Sequence, residues 1–252
     1  MTVTTENLGP GRVITWDRQA RRNAWDLETM TAIAGAIEVA GADESVRCVV
    51  LRGAGEHFSA GDDLQSALEA TRETWAQTIE TFQHLTRVVL AAPVPVLCAI
   101  DGWCVGGALE FAASCDLRIC TDRTKLLTPE VRIGLVFSNA GSIFLPHVLG
   151  EAPARELLMT GEPRDAEWAR TTGFVNELVA PSALDDAIER WVLRSAHTSR
   201  AAVAATKQIL NLRFGSLLEE SMQRETQWCI DLFDRPDCRA ALQAFRERSR
   251  SS

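Results

Sequence analysis

The residues in this chain best suited to chemistry are two glutamates and a glycine-rich turn. An apolar run at 95–100, PVLCAI, ends in Asp101-Gly102, and Gly106-Gly107 then open a second apolar segment that carries one acid, Glu110. A β-like run follows and delivers a second acid, Glu130, directly after Pro129. Helix–sheet cores rarely bury a carboxylate without a partner or a task. A Gly-rich turn entering a helix presents free backbone N–H groups to an anion. The chemistry this suggests is acid–base work beside an anion cradle. One carboxylate takes a proton, the other gives one, and fixed N–H donors hold the negative charge that develops. On residue types alone a structural reading stands beside it, with Glu110 an exposed helix residue and Glu130 a first-turn residue favoured by the helix dipole. Upstream, EHFSAGDDL at 56–64 is a loop by composition with Phe58 and Leu64 as anchors, the kind of segment that carries a site on a rigid scaffold.

The elements that must position these groups follow from periodicity. GRVITWD at 11–17, RCVVL at 47–51 and the run at 96–100 read as short strands. A helix over 25–39 places Trp25, Met30, Ile33 and Ile37 on one face and stops at Gly41. A longer helix over 68–91 shows Trp75, Ile79, Phe82, Leu85 and Val89 at helical spacing and is broken by Pro93 and Pro95. Short apolar strands separated by helices predict a parallel sheet with ligand loops at the strands' carboxyl ends, an α/β fold. After Glu130, the run Ser138-Asn139-Ala140-Gly141 starts a helix that ends before Pro146 or Gly150. A helix over 151–160, a second over 165–171 and a short strand over 174–179 come next. From Pro181 the pattern is wholly helical, in pieces at 182–196, 199–212, 216–232 and 236–249. The natural division is an α/β core at 1–195 and a helical region at 196–252.

Composition narrows the function classes. With 252 residues, 46% of them hydrophobic, the chain suffices for one domain or one domain with an appendage. A net charge of −8 counts against a nucleic-acid surface, which needs concentrated Lys and Arg. Cysteines at 48, 98, 104, 115, 120, 229 and 238 contain no CxxC and sit mostly in apolar runs, as small core thiols of a reducing compartment do. His57, His84, His147 and His197 fall in separate contexts, and Asp62-Asp63 alone is a weak divalent-cation signal, so no metal site is expected. Asp63 reads instead as a cap or loop-stabilising carboxylate. No window reaches eighteen apolar residues and the N-terminus lacks a signal pattern; the expectation is a soluble, cytoplasmic protein with no membrane partner.

Three ordered motifs, HFSAGDDL at 57–64, DGWCVGGALEFAASCDLRI at 101–119 and TPEVRIGL at 128–135, together with the helical tail, resemble the crotonase (enoyl-CoA hydratase/isomerase) superfamily. The likeness runs from NAW at 23–25 to the end of the chain. It implies a spiral of β-β-α units and a helical C-terminal trimerisation region giving a homo-trimer or a dimer of trimers. It implies no separate cofactor: coenzyme A is part of the thioester substrate. The thioester carbonyl would sit between the backbone N–H groups of Asp62 and Gly107, with Glu110 and Glu130 as the two catalytic acids. Ala24, Ala60 and Leu64 would face the adenine or pantetheine arm, with Arg22 near a phosphate. The activity implied is reversible addition of water to a trans-2-enoyl-CoA. An isomerase, another acyl-CoA lyase or dehydratase, and a non-catalytic binding protein are the alternatives.

The chain departs from the pattern at Asp62, where the family commonly has a small or apolar residue. Thr128 stands where Gly is common, LVFSNAG at 135–141 replaces a Pro-Gly turn, and Trp103 and Phe137 add bulk. With its N–H aimed at the thioester, the Asp62 carboxylate is expected to turn away, toward water or toward Ser138 and Asn139.

Overall fold

The computed structural model describes residues 2–250, with the side chains of all but 64, 65, 245, 246 and 248–250. The chain opens with two antiparallel strands, β1 (Thr2–Leu8) and β2 (Gly11–Asp17), reversed at Gly9-Pro10, where Gly9 takes φ +54°. Helix α1 (Leu27–Ala42) starts at Asp26, whose side chain accepts from the Thr29 N–H at 2.9 Å, an N-cap bond. It runs through Gly41 and ends at Asp43. Strand β3 (Cys48–Gly53) follows, then α2 (Leu64–Glu69) and α3 (Arg72–Ala91). The single helix expected over 68–91 is therefore two, because Thr71 and Thr74 form a reciprocal capping box that begins α3 afresh.

Next come β4 (Val96–Ile100), β5 (Trp103–Val105), α4 (Gly107–Ser114), β6 (Leu117–Thr121) and β7 (Lys125–Leu127). A 3₁₀ turn at Glu130–Ile133 leads to α5 (Gly141–Leu149), α6 (Glu151–Thr160), β8 (Arg164–Asp165), α7 (Ala166–Thr171) and β9 (Glu177–Val179). Four helices close the chain: α8 (Leu184–Ala196), α9 (Arg200–Asn211), α10 (Gly215–Phe233) and α11 (Pro236–Arg250). Pro146 lies inside α5 without ending it. Strand β1 was not legible in the sequence: its residues are mostly exposed, so no apolar run marks it.

The strands form a large sheet, β1-β2-β3-β4-β6-β9, parallel except at β1, and a small one, β5-β7-β8. This is the β-β-α spiral. In each turn one strand joins the large sheet (β4, β6), its short successor joins the small sheet (β5, β7), and a helix follows. The loop after β3 repeats the pattern through a Ser59–Cys104 bridge. Side chains alternate across the large sheet as the strand period of two requires. Ile14, Leu51, Cys98 and Ile100 pack into the main core with α1, α3 and α4, while Val13, Val50, Leu97 and Ile119 face Leu184, Ile188 and Val192 of α8. All seven cysteines are buried and free.

Two buried cations tie helices to this frame. Arg118 donates to the carbonyls of Ala112, Ala113 and Cys115 at the end of α4 and to that of Phe174, satisfying a helix C-terminus with positive charge. Lys207 of α9 bonds Asp116 at 2.6 Å. No helix among the described residues is long and apolar enough to cross a membrane.

Candidate active site

The site is built on the loop after β3 and on the turn before α4. The Asn23 amide donates to the carbonyls of Ala54 and His57 and accepts from the Arg18 N–H, while the Trp16 indole donates to the Phe58 carbonyl. Residues 22–25 then run beside 60–63: Ala60 N–H donates to Arg22, Trp25 N–H to Gly61 and Asp63 N–H to Trp25. The Arg18 guanidinium holds Asp63 and Asp26, each at 3.0 Å, so Asp63 is the loop-stabilising carboxylate the sequence suggested. Gly61 sits at φ +82°, and a Cβ there would lie 2.6 Å from the Val105 carbonyl and 3.7 Å from Gly106 Cα. A larger residue is excluded both by conformation and by space. That contact brings the backbone of Gly61 against that of Val105 and Gly106. As the first residue of α4, Gly107 has an N–H with no intrahelical acceptor.

Arg22, Ala24 and Ala60 therefore share one strip; Arg22 is in the left-handed region at φ 51°. The Leu64 side chain lies outside the described residues, and its backbone begins α2. A cleft of about 290 Å³ opens beside this strip, lined by Gln19, Arg22, Asn23, Ala54, Glu56 and His57. None of the site acids lines it. His57 takes no part among them, since its Nδ1 faces the Trp103 N–H at 3.4 Å.

Glu110, one turn into α4, is buried, with 1% of its surface exposed. Its Oε2 accepts from the N–H groups of Asn139 (2.8 Å) and Gly141 (3.1 Å). Glu130 opens the 3₁₀ turn and lies against Gly106, where a Cβ would stand 2.7 Å from Glu130 Oε1. The residue keeps some exposed surface, yet its Oε2 is buried and finds no hydrogen-bond partner among the described residues. An unpartnered carboxylate oxygen in a closed space costs several kcal/mol unless it is protonated or receives a donor from outside the chain.

Burial pushes up the proton affinity of Glu110, Glu130 and Asp62, and neighbouring negative charge adds to it. Glu130 rises to about 8, with Asp62 as the charged neighbour. Glu110 rises well above the carboxylate range through burial first, then Glu130 and Glu225. Asp62 rises to about 7 through burial, partly opposed by its own N–H, with Asp63 adding repulsion. Of the two directions expected for the Asp62 carboxylate, water or Ser138 and Asn139, no hydrogen bond to either residue is found among the described residues, and part of the Asp62 surface stays exposed. The Asn139 side chain is engaged by Thr86 and the Gly107 carbonyl, and Asp62 acts electrostatically on both glutamates. Among the described residues, no set of His, Cys, Asp and Glu is placed to hold a metal ion.

Two residues of the site were missed from the sequence. Gly141 is a glycine because a Cβ there would meet Glu110 Oε2 at 2.7 Å. Glu225 of α10 is buried and accepts from the N–H groups of Ala140 (2.7 Å) and Ser142 (3.0 Å) and from the Ser142 hydroxyl. Its signal was available: Met222, Glu225 and Cys229 recur at helical spacing, which puts an acid on an apolar stripe.

The β-β-α spiral, which brings Glu110 and Glu130 within electrostatic reach of each other, is the arrangement that known proteins share with this chain. The family model for enoyl-CoA hydratase/isomerase matches residues 12–252, and the chain belongs to that family. It is 30% identical over 251 residues to the enoyl-CoA hydratase/isomerase YngF of Bacillus subtilis, covering 99% of this chain and 95% of that protein. It is 31% identical over 250 residues to the (E)-benzylidenesuccinyl-CoA hydratase of Thauera aromatica, covering 98% and 97%. The fold superposes on the crystal structure of an enoyl-CoA hydratase from Bacillus halodurans with a TM-score of 0.90 at 24% identity, covering 96% and 99%.

Proposed function

We propose that this protein is an enoyl-CoA hydratase that adds water reversibly to a trans-2-enoyl-CoA, giving the 3-hydroxyacyl-CoA. The observation that carries the reading is the Glu110–Glu130 pair, two carboxylates of raised proton affinity in one site, with Glu130 Oε2 lacking a hydrogen-bond partner among the described residues. Two acids that repel each other share protons, so one is a base while the other is an acid. In the forward reaction the ionised carboxylate takes a proton from water as the water oxygen bonds Cβ. The Cα–Cβ π pair moves onto the thioester as an enolate, and the protonated carboxyl then delivers its proton to Cα. The N–H groups of Asp62 and Gly107 hold the enolate oxygen, where charge grows, and so favour the transition state over the ground state.

Coenzyme A enters as part of the substrate. Ala24, Ala60 and the backbone of Leu64 line the path of its pantetheine or adenine, and Arg22, exposed beside the cleft, meets a phosphate. The active form is a homo-trimer or a dimer of trimers. Ile209, Leu210, Leu212, Leu217 and Trp228 are exposed on α9, α10 and the segment between them, and a second copy of the chain would cover them.

The reaction class is tested with trans-2-enoyl-CoA thioesters in ¹⁸O-water. A hydratase yields 3-hydroxyacyl-CoA carrying one solvent oxygen. A shifted double bond with no solvent oxygen would replace this reading with an isomerase.

A further inference from the structure

Four consecutive backbone N–H groups, those of residues 139–142 at the entry to α5, are divided between two carboxylates. Asn139 and Gly141 donate to Glu110, and Ala140 and Ser142 donate to Glu225. Ala140, in the middle of the segment, is held at φ 59°, a left-handed conformation unfavourable for a non-glycine residue. Glu225 meets this turn from α10, and its Oε1 also takes the Ser142 hydroxyl. Gln83 of α3 reinforces the grip, its amide donating to the Ser138 carbonyl, the Met222 carbonyl and the Thr226 hydroxyl. Thr86 donates to the Asn139 side chain at 2.7 Å. The segment that carries the Glu110 donors is thus anchored from α10 and α3.

We infer that Glu225 is a positioning residue for Glu110: by holding the Ala140 and Ser142 N–H groups it fixes the turn whose alternate N–H groups hold the catalytic carboxylate. Without it the turn has no reason to keep Ala140 left-handed, and relaxation of that one residue rotates the Asn139 and Gly141 donors away from Glu110. The three donors on Glu225 partly oppose the burial that pushes its proton affinity up to about 7, and whatever charge it carries opposes ionisation of Glu110 across the turn. The inference rests on the assignment of Glu110 to catalysis in the proposed hydratase.

The test is Glu225→Gln, which keeps side-chain volume but offers one acceptor where two are needed, so one N–H faces an NH₂ group. Ser142→Pro is the second variant: it removes one N–H and the hydroxyl from Glu225 at a first-turn position that tolerates proline. Two readouts are taken on each folded variant, steady-state kinetics on the best enoyl-CoA and amide hydrogen exchange across 138–145. The expected result is kcat lowered about 10- to 100-fold with KM changed less than about threefold, the scale of a sub-ångström misplacement of a catalytic group. Exchange at Asn139 and Gly141, which touch Glu110 and not Glu225, should quicken at least about tenfold. A kcat within about twofold of wild type, a loss confined to KM, or unaltered exchange at Asn139 and Gly141 in whichever variant folds overturns the inference. A wild-type protein inactive on every enoyl-CoA would instead overturn the hydratase reading, while the exchange result still judges the positioning.

Discussion

Replacing Gly141 by alanine should disable the site through a single methyl group. The added Cβ would stand 2.7 Å from Glu110 Oε2, 3.0 Å from its Cδ and 3.1 Å from its Cγ. An ordinary carbon–oxygen contact needs about 3.3 Å or more, so the carboxylate must withdraw by about half an ångström or the turn must open. Glu110 is 1% exposed and hemmed in by the main core, so withdrawal comes at the expense of its bonds. The Gly141 N–H bond, already 3.1 Å, passes beyond hydrogen-bond range first. A hydrogen bond to a charged acceptor contributes about 1.5–3 kcal/mol, and misplacement by 1 Å can cost about 10²-fold in rate. The expected result for G141A is a kcat lowered about 10- to 100-fold, an unchanged KM within about threefold, and a melting temperature within a few degrees of wild type. The assay is loss of the enoyl-thioester ultraviolet absorbance under saturating substrate. Wild-type kcat in a folded G141A protein would refute the reasoning, because it would show that the Glu110 carboxylate need not be where the turn holds it.

Asp62→Ala should lower kcat by no more than about tenfold, since alanine supplies the same backbone N–H. It should also move both limbs of the pH–rate profile to lower pH, because it removes a negative neighbour of Glu110 and Glu130; unmoved limbs would detach Asp62 from the pair. Conformational stability, read as the denaturant midpoint, should fall as pH rises from about 5 to about 8. Asp62, Glu225 and Glu130 rise to about 7, 7 and 8 in the folded state, so the native protein binds more protons than the unfolded chain across that window. D62N should flatten this slope, and a stability that increases over the same range would contradict the shifts. Sedimentation at micromolar concentration should show a species of three or six chains rather than one of 27.7 kDa, and Leu212→Glu together with Ile209→Glu should shift it toward the monomer.

The fold was legible where apolar periodicity was strong and punctuation unambiguous. The glycines, prolines and acids around 96–107 and the helices after 181 carry their own boundaries, and α6 falls on the residues its pattern marked. Legibility failed where a boundary depended on hydrogen bonds between ordinary residues. The Thr71–Thr74 capping box divides a helix that hydrophobic spacing reads as continuous. Strand β1 is held by pairing with β2 rather than by burial, so its composition is mute. In the site, Glu110, Glu130 and the glycines beside them were readable because acids in apolar runs are anomalous. Glu225 lies 115 residues after Glu110 in the chain. Only the folded turn at 139–142 reveals that the two acids share one stretch of backbone. Asp62 marks the opposite limit: its raised proton affinity comes from burial and from Asp63 beside it, and burial is a property of the fold that its local sequence does not carry.

Under the proposed function, Glu110 and Glu130 act as one acid–base unit. Its most direct test is the kinetics of E110Q, E130Q and the double variant on the best enoyl-CoA, each confirmed folded and able to bind a CoA thioester. Each single change should lower kcat by at least about 10²-fold, the scale of acid–base assistance. The double variant should fall little further, because removing either member already disables the unit. Single variants that turn over near the wild-type rate, or losses that simply multiply in the double variant, would contradict it.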